Sequence, residues 1–171
     1  MEAEINVKSD NNEIQLKDNE NILKLKIKDN EGKYTGEMLV FNLEDIELPL
    51  RLQQMEEEDK KNRASLRNQF NIIDKKQDHK GKKLFSANEE AKIKAMQDFY
   101  KKEIEIYNMF LGENGVQKLL NGRALSWSTL EEIDEIIEQI ILPKLEISAD
   151  NIKKKIIKKY GNPNKRDDVI E

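Results

Sequence analysis

Five carboxylates fall within eight residues at Glu131, Glu132, Asp134, Glu135 and Glu138. Acids this dense can bind a divalent cation or supply a general acid and base, provided that they converge and that a histidine or a second acidic helix completes the set. No histidine follows them. They alternate around the outer side of an apolar stripe, Leu130, Ile133, Ile136, Ile137, Ile140 and Ile141. The stretch reads as a solvated acidic helix face, with a partner-binding surface as the other reading. The single histidine, His79, sits in a basic segment with a glycine in it, from Lys75 to Phe85. A ligand or general base needs a fixed partner and a site that shifts its pKa, so His79 reads as an exposed loop residue. The chain has no cysteine, which removes disulfides, thiolate nucleophiles and zinc–thiolate sites.

Three of the seven glycines, Gly112, Gly115 and Gly122, lie within the 14 residues from Phe110 to Arg123. No Gly-Lys-Ser/Thr follows them and no parallel strand precedes them, so they do not form a phosphate loop. They read as structural turns on either side of a short helix. Lys153, Lys154, Lys155, Lys158, Lys159, Lys165 and Arg166 make the last segment basic. That charge suits contact with phosphate or an acidic protein, a solvated face at the negative end of a helix dipole, or attraction to the acidic helix before it, within or between protomers. Trp127, the only tryptophan, stands just before Ser128. It reads as a core residue or a staple onto the next helix, and as an interface anchor if exposed.

These residues need elements to position them. Leu23, Leu25 and Ile27 alternate with Lys24, Lys26 and Lys28, the period of a strand with one buried face. Asp29-Asn30-Glu31-Gly32 is a turn, and Tyr34 to Phe41 returns as the second strand of a hairpin. The lysine face guards against sheet-to-sheet pairing. Pro49 suits the first turn of a charged helix from about Leu50 to Asp74, with Leu50, Met55, Leu66, Phe70 and Ile73 as its sparse apolar contacts. Ser86 and Glu89 have capping-box spacing and open a helix striped by Ile93, Met96, Phe99, Tyr100, Ile104, Tyr107 and Phe110. Ser128 and Glu131 repeat the spacing for the isoleucine helix, which Pro143 should end or kink. A last helix, about Ala149 to Tyr160, places Ile152, Ile156, Ile157 and Tyr160 on one side and stops at Gly161 and Pro163.

The predicted fold is therefore α+β and mainly α, an N-terminal antiparallel hairpin followed by four to five helices packed as a small bundle. A flexible extension over 1–20 and a flexible tail over 162–171 flank one domain over 21–161. Of the 171 residues 37% are hydrophobic and 37% charged, so the core must be thin. The net charge of −4 argues against nucleic acid as the main partner. The start of the chain lacks a basic and apolar leader, and no stretch approaches the roughly 18 apolar residues of a membrane span. A soluble protein kept in the cytoplasm, with no cofactor, no metal and no membrane partner, is the expectation. An enzyme is not.

Taken together, the pattern resembles the small tail assembly chaperones of phages and prophages of Gram-positive, especially clostridial, bacteria. The likeness rests on an aromatic-ended helix leading into Phe110-Leu111-Gly112-Glu113-Asn114-Gly115, then Lys118-Leu119-Leu120-Asn121-Gly122, then the apolar helix from Leu130 to Ile141. The ending Lys159-Tyr160-Gly161-Asn162-Pro163-Asn164-Lys165-Arg166 is similar to the family's Tyr-x-Pro-Asn-Arg-like close. The architecture corresponds over about residues 20 to 166. This chain departs from the pattern in its long polar extension and at Asn114-Gly115, where a Gly-Thr-like pair is more usual. The resemblance implies a non-enzymatic factor that binds the tape-measure protein, and tail-tube subunits as a further client, with Trp127, Tyr160, Lys165 and Arg166 as candidate partner-binding residues and a homo-oligomer as a candidate state. The alternatives are a structural tail or connector component retained in the virion and, behind it, a small nucleic-acid-binding regulator.

Overall fold

A computed structural model describes residues 6–7, 14–15 and 21–161; the side chains of residues 6–7 and 14–15 and of Lys159 and Tyr160 are outside the description. The extension expected over 1–20 is described only as two short antiparallel strands, β1 (Asn6–Val7) and β2 (Ile14–Gln15). The tail expected over 162–171 lies outside the described residues.

Strands β3 (Ile22–Lys28) and β4 (Tyr34–Asn42) pair antiparallel, Leu23 opposite Phe41 and Leu25 opposite Leu39. The alternation holds: Ile27, Leu39 and Phe41 are buried, while Lys24, Lys26 and Lys28 are exposed. Asp29 builds the turn by accepting from the backbone of Glu31 and Lys33, both at 2.9 Å. Lys26 pairs with Met38 but Lys28 with Tyr34, so β4 bulges, and Gly36 at φ +89° takes the left-handed backbone the bulge requires.

Helix α1 (Leu48–Asp74) carries Pro49 in its first turn. Its buried positions are Leu48, Leu52, Met55, Asn62, Leu66 and Ile73; Leu50, expected as a contact, faces solvent. The expected Ser86–Glu89 capping box opens α2 (Ala87–Leu111), Glu89 N donating to Ser86 Oγ and Ser86 N to the Glu89 carboxylate. Bonds from Asn62 to Phe99 O and Glu103, and an ion pair between Asp74 and Lys92, show that α1 and α2 run antiparallel. The hairpin sits on the end of this pair, where Phe41 meets Phe110 at 5.6 Å between ring centroids.

The short α3 (Gly115–Leu120) follows, and then α4 (Trp127–Ile136), a π turn (Ile137–Ile141) and α5 (Leu142–Tyr160), which run on without a break. Among the described residues the helices thus number four, not the expected four to five, because the last two predicted are one rod. Pro143 does not end it. Proline lacks the N–H and crowds the carbonyl four residues back, and the wider turn just before it, with its i to i+5 pattern, takes up that misfit inside a continuous helix. The capping register also differs from expectation. Ser126 and Thr129, rather than Ser128 and Glu131, exchange the capping bonds, so Trp127 is the first helical residue and Ser128 lies inside the helix.

The core joins the inner hairpin face (Leu39, Phe41) to Phe99, Tyr107 and Phe110 of α2, Val116 of α3 and Leu130, Ile133, Ile137 and Ile141 of the rod. Ser148 ties the rod back to the hairpin by donating to Leu43 O at 2.5 Å. No helix among the described residues is long and apolar enough to cross a membrane.

Candidate functional site

Where α1, α2 and α4 meet, the fold buries a polar cluster that no short motif marks. Asn62, on the inner face of α1, donates to Glu103 Oε1 at 2.5 Å and to Phe99 O at 3.2 Å. Glu103 is fully buried, and its Oε2 has no hydrogen-bond partner among the described residues. Burial first, and then the charge and hydrogen bond of adjacent Asp59, push its carboxyl up to about 7, against the opposing pull of Asn62 and Arg63. The nearby Asp59 charge favours the protonated form of Glu103, and that form can donate to Asp59.

One turn further along α1, Arg63 donates to Asp59 Oδ1 at 2.6 Å and reaches Tyr107 Oη and Asp134 Oδ2, both at 3.4 Å. Tyr107 in turn donates to Asp134 Oδ1 at 2.5 Å. Burial raises the Tyr107 phenol, and the hydrogen bond to Asp134 raises it further. The Asp134 carboxyl is also raised by burial, although the bond from Tyr107 and the Arg63 charge oppose this. Burial disfavours the Arg63 charge, but the hydrogen bond and charge of Asp59 outweigh it and raise the guanidinium above its ordinary value. Arg63 also lies 5.0 Å from the centre of the Trp127 ring, which stacks on Phe99 at 6.2 Å. The cluster is a four-way tie among α1, α2 and the start of the rod. Above it opens a groove of about 460 Å³ lined by Glu56, Asp59, Lys60, Arg63, Asp134 and Glu138 among others.

A second groove, of about 270 Å³, has a different character. Pro49, Leu52, Leu142, Leu145 and Ala149 line it between the first turns of α1 and of α5, with Gln53, Glu56 and Glu146 at its margin. Ile46 and Leu50 near the start of α1 are 69% and 64% exposed, and Ile156 and Ile157 of α5 are 47% and 50% exposed. The inner stripe of α5 therefore continues past the end of the body it packs on.

Of the residues singled out in the sequence, Trp127 joins the polar cluster, 45% exposed and flat against Phe99. The glycines stand well away from it, in the turns around α3. Gly112 and Gly122 take φ of +88° and +83°, and a Cβ on Gly115 would come within 2.4 Å of Leu111 Cβ. Tyr160 closes α5 and its side chain is outside the description; Lys165 and Arg166 lie beyond the described residues. His79 is exposed. Among the described residues no group of three or more His, Cys, Asp or Glu side chains could hold a metal ion. The cluster of Asn62, Glu103, Asp59 and Arg63 was missed in the sequence. One signal for it was available: Glu103 falls on the buried stripe of α2 between Phe99 and Tyr107, where an acid demands a partner.

Compared with known proteins, the chain matches no family, no curated protein and no solved structure.

Proposed function

We propose that this chain is a non-enzymatic phage tail assembly chaperone that binds the tape-measure protein, with tail-tube subunits as a second client, in the cytoplasm of the bacterial host. The reading starts from the resemblance carried by the segments around Gly112 to Gly122 and after Lys159. One structural observation supports it above others: the open apolar groove between α1 and α5, continued by the uncovered Ile156 and Ile157. A tape-measure protein is long and helical and exposes apolar stripes until the tail encloses it. Such a stripe can lie in a groove of this kind as an amphipathic helix, reading out apolar positions three and four residues apart. The densely charged exterior would keep the covered client soluble.

The test is co-expression with the tape-measure protein of the same genome. Co-elution is expected, and it should weaken in Leu50→Glu and Ile156→Glu, which alter exposed positions and leave the core intact. Failure to co-elute, together with normal tails after deletion of the gene, overturns the reading. Mass spectrometry of purified particles separates it from the structural-component alternative: a chaperone is absent from them, whereas a tail or connector subunit is present at fixed copy number.

A further inference from the structure

The continuous rod from Trp127 to Tyr160 is polarised along its length. Its first half, through the π turn, carries five acids and no base, and residues 153–159 carry five lysines and no acid. Some of these charges are engaged at home: Glu132 pairs with Arg123, Asp134 with Arg63, Lys153 with Asp150 and Lys155 with Glu44. Glu131, Glu135, Lys154 and Lys158 are exposed and have no ion-pair partner among the described residues.

These four charges share one outer face with the two exposed isoleucines of the middle of the rod, Ile140 at 44% and Ile147 at 62%. The steps are four residues from Glu131 to Glu135, seven from Ile140 to Ile147 and from Ile147 to Lys154, and four to Lys158. All are helical repeats. The step of five from Glu135 to Ile140 keeps the face because it crosses the π turn, where residues five apart are in register. The face is thus acidic at one end, apolar in the middle and basic at the other. Such a surface is complementary to itself when turned end over end, as a two-fold interface requires.

We infer that two copies of this chain dimerise through the outer face of the rod, antiparallel and crossing at Ile147. Ile147 then packs on its counterpart. Glu135 lies 12 residues before the crossing and Lys158 lies 11 after it, so each protomer's Glu135 comes level with the other's Lys158. The apolar groove between α1 and α5 is on the opposite, inward side of the rod. The dimer therefore leaves it open, and the inference does not depend on the client proposed above.

Charge exchange tests the inference directly. Sedimentation equilibrium of the full chain should show a monomer–dimer equilibrium that weakens as salt is raised. Lys154→Glu with Lys158→Glu, and separately Glu131→Lys with Glu135→Lys, should each weaken self-association more than about tenfold, since like charges then oppose across the axis. Mixing the two double variants should produce a one-to-one heterodimer, an outcome that a loss of folding cannot imitate. A wild-type chain that stays monomeric at high micromolar concentration overturns the inference. So does a dimer indifferent to the exchanges, or a mixture that fails to pair.

Discussion

The α1–α2 seam and the far half of the rod are written in the same code, apolar residues every three or four positions among lysines and acids, yet they end in opposite environments. Along the seam even polar residues are buried: Glu103 is fully enclosed and Asn62 nearly so. In the far half of the rod isoleucines are out, Ile147, Ile156 and Ile157 each at least 47% exposed. The difference lies in what stands opposite. Helices α1 and α2 have 27 and 25 residues and run antiparallel, so almost every inward position of one meets the other. Beyond Ser148, which donates to Leu43 O, the rod outruns its apolar support and is held by the ion pair of Lys155 with Glu44. An amphipathic stripe states which side of a helix would be buried, and only the length of the neighbour decides how much of it is.

Truncation at matched positions gives the sharpest contrast. Phe110→Ala, at the contact with Phe41, should cost about 3–5 kcal/mol in urea unfolding, whereas Ile156→Ala should stay within about 0.5 kcal/mol. Equal costs would erase the distinction between seam and rod.

The buried acid supplies the next largest effect. Glu103 titrates at about 7 in the folded chain against an ordinary 4.5, so the folded state holds a proton that the unfolded state has released. Its contribution is fully present below about pH 4.5 and is lost as pH rises through 7, a change on the order of 3 kcal/mol. Glu103→Gln keeps the bond to Asn62 and cannot titrate. Unfolding followed between pH 4.5 and 8 should show the wild-type chain losing stability relative to this variant, and parallel curves would mean that Glu103 is charged throughout.

Gly115→Ala tests the turn that joins the two regions. Its Cβ would meet that of Leu111, a side chain already fixed in the core, so a cost of about 1–3 kcal/mol is expected from overpacking. The smallest effect sets the start of the rod: Ser126→Ala should cost about 1 kcal/mol as a lost cap, and Ser128→Ala close to nothing. The reverse order would return the cap to the register expected from Glu131.

The hairpin, the two long helices and the box at Ser86 were legible because each rests on local chemistry: a period, a turn or a cap within four residues. The cap at Ser126 was missed because Ser-x-x-Thr and Ser-x-x-Glu overlap there, and the competing choice differs by two residues. Pro143 misled because a proline rule describes a regular α-helix, and the relief comes from a π turn that composition does not announce. The cluster around Glu103 was hidden for another reason. The partners of Glu103, Asn62 and Asp59, stand 41 and 44 residues before it in the chain, and only the packed helices make them neighbours.

The π turn has a consequence for how this protein can change over generations. It holds one residue more than a regular turn, so losing a single residue between Ile137 and Ile141 would leave an ordinary α-helix with the faces before and after it still in register. Leu145 and Ser148 would stay turned to the core, and Pro143 alone would suffer, left in a regular ladder without the relief of the wider turn. Related chains can therefore lose one residue between Ile133 and Leu145 where the proline is also replaced, whereas losing two or gaining one would rotate the rest of the rod by about 100°.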